Sequence, residues 1–227
     1  YSNWSHQIII IENIKKYILT LKIPDLPNSA IEEKALRCGI NNIVGIDEVG
    51  RGTIAGPVVS ASVKLSKDLI IGNPMKFNDS KKLSKGKRLK LFKEIIYSGS
   101  WFSIGIATHK EIDKYGIVES TKISMKRSIF NLKTNIDLIL IDAINLDIKE
   151  NNIGFNKADS MSVSVAAASI IAKVTRDSMM SRIYENLYPG YYLKENKGYG
   201  SKVHIESLNL KGASKIHRKS FSPINKM

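Results

Sequence analysis

The tightest constraint in this sequence is the run Ile136–Ile141, nearly all apolar and closed by Asp142. It has none of the alternation of a half-exposed strand, so it belongs in the middle of a sheet with other elements packed on both faces. Shorter strands accompany it. Ile43-Val44-Gly45-Ile46 ends at Asp47-Glu48, Pro57–Leu65 alternates Val58, Ser60 and Ser62 against Val59, Ala61 and Val63, and Trp101–Ala107 gives a third. Lys110–Leu132, Ser162–Leu187 (the longest helix candidate) and Ser201–Leu210 have helical spacing. Strands first, then strands alternating with helices, indicate an α/β fold with helices covering a mixed sheet.

Residues 1–40 differ from the rest. Gln7–Ile23 spaces Ile, Tyr and Leu as an amphipathic helix, Pro24–Asn28 breaks it, and Ser29–Gly39 forms a second short helix with Asn28 or Ser29 as N-cap. This is a helical N-terminal appendage, too short for a domain of its own. The main domain is expected over 41–227, with a helical C-terminal part from about 187. The longest apolar runs fall well short of the roughly 20 residues of a membrane span, and no basic segment followed by an apolar stretch marks a signal peptide. The single cysteine, Cys38, excludes an intramolecular disulfide framework and fits a reducing compartment, so a cytoplasmic location is expected.

The chain of 227 residues carries 35 Lys and Arg against 21 Asp and Glu, a formal net charge of +14. The first 40 residues hold five basic and four acidic side chains, so the excess lies beyond them. It concentrates in 81–93, which holds seven basic residues and no acid, and in 194–227, with eight basic residues against two acids. Such a balance favours a polyanionic partner, nucleic acid above all, although a lysine-rich solvated surface has the same composition.

Acids at the ends of elements carry the chemistry. Asp47 and Glu48 follow one apolar strand, Asp142 closes another, and Asp159 precedes the long helix. Singly, each has an ordinary reading as a solvated strand terminus, a turn former or a helix N-cap. Together, in a basic protein with no His/Cys set at zinc spacing, they are an oxygen-only donor set for hard cations such as Mg²⁺ or Mn²⁺. Four carboxylates could hold two such ions for phosphodiester hydrolysis. The adjacent turn Gly50-Arg51-Gly52 leaves backbone free to approach a ligand closely, as the reading of a ribose 2′-hydroxyl requires, although turn geometry alone also accounts for two glycines.

Gly45–Gly52, Ala55-Gly56-Pro57-Val58-Val59, Asp79-Ser80-Lys81-Lys82-Leu83, Ala166–Asp177, Tyr188-Pro189-Gly190-Tyr191, Gly198-Tyr199-Gly200 and His217-Arg218-Lys219-Ser220-Phe221 together resemble ribonuclease HII. The motifs stand in that family's order over roughly 42–222. The resemblance implies a ribonuclease H-like fold and a monomer. It also implies an endonuclease that cuts RNA in RNA–DNA hybrids and at single ribonucleotides embedded in duplex DNA, leaving 5′-phosphate and 3′-hydroxyl ends. On this resemblance Asp47, Glu48, Asp142 and Asp159 are the catalytic metal-holding acids, although Ala143 stands where the family usually has Gly. Gly50, Arg51 and Gly52 match the turn that recognises the 2′-hydroxyl, and Tyr199 matches the tyrosine that stacks at the RNA–DNA junction. Lys81 and Lys82 are expected on the substrate side. The related ribonuclease HIII typically has Lys in place of Arg51 and a larger N-terminal domain. Arg176 and Asp177 are expected to form a structural ion pair, and His204 and His217 to be structural or phosphate contacts rather than general bases.

Overall fold

The structure is a computed structural model and describes residues 2–72, 77 and 83–227. The described residues form a five-stranded sheet in the order β3-β2-β1-β4-β5, with β1 at Ile43–Val49, β2 at Val58–Lys64, β3 at Trp101–Ala107, β4 at Leu138–Asp142 and β5 at Asn152–Phe155. β1, β2 and β3 pair antiparallel, whereas β4 lies parallel to both β1 and β5. The mixed α/β expectation holds.

Both faces of the central strands are covered, as the apolar run requires. Val44, Ile46, Ile139 and Ile141 pack on Met125, Ile129 and Leu132 of α4 (His109–Leu132). Ile43, Leu138 and Leu140 pack on the opposite face against Ile14 of α1 (Ser2–Thr20) and Ile31 and Ala35 of α2 (Ala30–Arg37). The N-terminal helices thus share a core with the sheet. The serines of β2 are not solvent-facing either: Ser60 and Ser62 pair with Ser124 and Ser128 of α4 at 2.6 Å each, so their hydroxyls are satisfied while fully buried.

Helix α6 (Val163–Ser178) runs across β1 on the α1/α2 side, where small residues permit close approach. A Cβ on Gly45 would lie 2.1 Å from the Ser164 carbonyl carbon, so β1 tolerates only glycine there. Its N-terminus is capped by Ser162 and by buried Glu32 of α2, which accepts hydrogen bonds from Ser162 Oγ (2.5 Å) and Ser164 N (2.9 Å). Burial pushes the Glu32 carboxyl up, against those hydrogen bonds.

Several element boundaries differ from the sequence expectations. β1 continues through Asp47 and Glu48 to Val49 because β2 pairs it that far, Asp47 opposite Ala61 and Glu48 opposite Ser60. The helix expected over 162–187 runs unbroken from Val163 to Leu187, as α6, a wider π-helical stretch at Met179–Tyr184 and a short α7 at Glu185–Leu187, whereas α4 is kinked at Gly116. β5 carries no strand signal of its own and forms by pairing with β4. The basic stretch contains α3 (Lys85–Tyr97), N-capped by Ser84, whereas Lys81 and Lys82 lie outside the described residues. Beyond α7, the short α8 (Leu193–Asn196) and α9 (Lys202–Lys211) surround an apolar cluster of Met180, Tyr191, Leu193, Leu208 and Ile216 that also takes in Ile54 and Ala55. The C-terminal part is therefore built onto the loop that follows β1.

Candidate active site

A cavity of about 340 Å³ opens at the end of β1 and β4, lined by Asp47, Glu48, Asp142, the turn Gly50–Gly52, Lys173 and Tyr199. Because β1 and β4 run parallel, Asp47 and Asp142 emerge at the same edge of the sheet. Asp142 Oδ1 accepts a hydrogen bond from Ala158 N (2.9 Å), which ties the end of β4 to the short helix α5 (Ala158–Met161) that carries Asp159. The next residue, Ala143, has φ +54°, a left-handed conformation that explains why glycine suits this position.

Asp47 is 6% exposed, with Oδ1 accepting from Glu48 N at 2.7 Å and a further hydrogen bond from the Ser169 side chain. Burial pushes its carboxyl well above the usual carboxylate range, and the charges of Glu48 and Asp159 push it further. This crowding is what a divalent cation relieves, and the donors are all oxygen, so the residues fit Mg²⁺ or Mn²⁺. As the side chains stand, no three His, Cys, Asp or Glu residues among the described ones converge closely enough to ligate one ion. Glu48 instead holds Arg51 Nη1 at 3.1 Å.

The turn is built by its glycines in two different ways. Gly50 has φ +103°, and a Cβ there would meet Arg176 Nε at 2.2 Å and Pro57 O at 2.7 Å, so the fold itself demands glycine. Gly52 is exposed, with nothing within 4 Å of a built Cβ, so the space beside it is open to a ligand. Tyr199 is 43% exposed across the cavity, with Lys173 Nζ 5.8 Å from its ring centroid. Its carbonyl accepts from His204 Nδ1 (2.8 Å). His204 Nε2 lies 3.0 Å from His217 Nε2, and His217 Nδ1 receives Ser214 N (3.0 Å). Since an N–H can only donate, His217 carries its proton on Nε2 and His204 carries its own on Nδ1. Both imidazoles are held neutral by burial, His217 down to about 4.

The structure thus brings Asp47, Glu48, Asp142, Gly50, Arg51, Gly52 and Tyr199 to one cavity, with Asp159 at its edge through its charge on Asp47. One expectation is corrected. Arg176 and Asp177 do not pair. Arg176 turns inward to Pro57 O, Lys197 O, Thr53 Oγ1 and Ala55 O, and Asp177 faces Lys173 (3.0 Å) and Arg88 (3.9 Å). Successive helix positions point about 100° apart, which separates them. Lys173, one turn before Asp177, escapes the sequence reading; together with Lys85, Arg88, Arg182 and Lys197 it lines a second, basic groove of about 570 Å³.

Carboxylates gathered at one edge of a mixed sheet, in a protein of +14 charge, define a nuclease of the ribonuclease H type. The comparisons narrow the class. The family model for Ribonuclease HII matches residues 44–224. Ribonuclease HII of Enterococcus faecalis is 47% identical over 199 residues, covering 88% of this chain and 76% of that one, and the enzyme from Wolbachia sp. subsp. Brugia malayi is 48% identical over 183 residues, covering 80% and 88%. The ribonuclease HII chain in a complex with PCNA from Archaeoglobus fulgidus superposes with a TM-score of 0.66 at 27% identity, covering 79% of this chain and 95% of that one. The chain belongs to the ribonuclease HII family, whose members are metal-dependent endoribonucleases acting on RNA–DNA hybrids.

Proposed function

We propose that this enzyme also incises duplex DNA at single embedded ribonucleotides, using two divalent ions held by Asp47, Glu48, Asp142 and Asp159. The observation that carries this reading is the shared cavity, lined by Asp47, Glu48, Asp142, the Gly50–Gly52 turn and Tyr199, with the charge of Asp159 acting on Asp47. When bound, the ions supply an activated water and stabilise the departing 3′-oxygen, which gives 5′-phosphate and 3′-hydroxyl ends. The chain's own residues do the selecting. The exposed backbone of Arg51 and Gly52 meets the ribose 2′-hydroxyl, which both donates and accepts hydrogen bonds. Tyr199 offers an exposed ring for stacking at the junction with DNA. Lys173, with Lys85 and Arg88 of α3, neutralises phosphates on the approach to the cavity. No described helix is long and apolar enough to cross a membrane, and the enzyme's place is with nucleic acid in the cytoplasm.

Three duplexes of one sequence test the reading: a full RNA–DNA hybrid, a DNA duplex with one ribonucleotide, and all-DNA. With Mg²⁺ or Mn²⁺ the first two are cut and the third is not, and EDTA stops both reactions. Cleavage of the hybrid with the single-ribonucleotide duplex left intact overturns the proposal.

A further inference from the structure

Two arginines, Arg176 and Arg218, are fully buried, and among the described residues neither has a carboxylate within ion-pairing distance. A buried charge without a counter-ion costs several kcal/mol unless hydrogen bonds compensate it. Here the compensation comes almost entirely from one loop. Arg218 donates from Nη2 to Gly50 O (2.6 Å), from Nη1 to Arg51 O (2.8 Å) and from Nε to Gly56 O (3.0 Å). Burial and the neighbouring Arg176 guanidinium push Arg218 down to about 9, so it remains a cation at neutral pH.

The direction of these bonds has a consequence for the other side of the turn. A trans peptide is planar, with its C=O and the following N–H pointing in opposite directions. Drawing the carbonyls of Gly50 and Arg51 inward to Arg218 therefore turns the N–H groups of Arg51 and Gly52 outward. Both residues are exposed and line the cavity, and neither amide has an acceptor among the described residues. We infer that Arg218 is a positioning residue for ribose selectivity: from the C-terminal part, it orients the Arg51 and Gly52 amides to receive the oxygen of a 2′-hydroxyl. This rests on the reading of the turn under Proposed function. Half-buried Asp113 supports the arrangement by accepting Lys219 N (3.0 Å), Ser220 N (2.9 Å) and Ser220 Oγ (2.7 Å), which pins the segment next to Arg218.

The test is the ratio of affinities for a DNA duplex with one ribonucleotide and its all-deoxy counterpart, measured in an Asp47→Asn background so that nothing is cut. Arg218→Lys keeps the charge and loses the fork that holds two carbonyls at once. The ratio falls about tenfold, the worth of a misdirected hydrogen bond, while affinity for the all-deoxy duplex changes little; the thermal transition moves to lower temperature but stays cooperative, which shows that the variant is folded. A parent that binds both duplexes alike overturns the reading of the turn, and this inference with it. A discriminating parent whose folded Arg218→Lys variant keeps the ratio, or weakens for both duplexes equally, overturns this inference alone. Should Arg218→Lys not fold, Asp113→Asn decides: a ratio lowered roughly threefold supports the inference, and an unchanged ratio overturns it.

Discussion

Replacing Asp47 with Asn removes a charge that the fold opposes. The carboxylate is 6% exposed and lies beside Glu48 and Asp159, and its carboxyl is pushed up by burial first and by those charges second. Asn keeps an oxygen to accept the 2.7 Å hydrogen bond from Glu48 N, so little is lost in exchange. Relief of a poorly compensated buried charge returns on the order of 2 kcal/mol, a Tm higher by about 4–8 °C for a chain of this size. A group whose pKa is raised by folding weakens the fold as it ionises. The advantage of Asn therefore grows as pH rises from the ordinary carboxylate range toward the raised value and is flat beyond it. Metal reverses the order. Mn²⁺ at about one hundred times its Kd adds about 2.7 kcal/mol to the wild-type enzyme and much less to the variant, which also loses cleavage. Calorimetry with EDTA and with Mn²⁺, beside a cleavage assay, measures all three effects. An EDTA-treated variant melting at or below wild type, or cleavage restored at saturating Mn²⁺, refutes the reasoning.

Other predictions follow from single positions. Gly50→Ala collides with Arg176 and Pro57 and costs more than about 2 kcal/mol of stability, whereas Gly52→Ala unfolds at the wild-type denaturant concentration and loses affinity for the ribonucleotide duplex; equal destabilisation by the two contradicts the assignment. Ala143→Gly relieves a positive φ and stabilises the enzyme by about 0.5–1 kcal/mol, read as a higher urea midpoint with unchanged slope. His217 has a pKa of about 4 in the fold against an ordinary 6.5, so its neutral form contributes stability that is complete above pH 6.5 and drains away as pH falls toward 4. His217→Asn flattens the dependence of urea stability on pH across that window, and identical slopes for the two proteins count against the neutral histidine pair.

What the sequence disclosed depended on how local each feature was. The run ending in Asp142 announced a doubly covered strand, and its closing acid does line the cavity. Asp47, Glu48 and the Gly50–Gly52 turn were legible because carboxylates on an apolar strand beside two glycines have few structural uses. The supports of the site were hidden, because each acts on partners far along the chain: Glu32 caps a helix 130 residues away, and Arg218 reaches back 168 residues to Gly50. In the sequence Glu32 is an ordinary acid in a helix's first turn, and Arg176 beside Asp177 suggests a pair that helical geometry forbids. β5 stayed invisible for a similar reason, since its four residues owe their conformation to β4.

The central claim is an incision directed by a single ribose and carried out at the carboxylate cluster. It is tested most directly by mapping the products of a DNA duplex with one ribonucleotide, end-labelled on either side and incubated with enzyme and Mn²⁺. The account predicts one cut at the ribonucleotide, with 3′-hydroxyl and 5′-phosphate ends, absent with EDTA and absent for Asp47→Asn. A cut that persists in EDTA, or ends carrying a 2′,3′-cyclic phosphate, would contradict it.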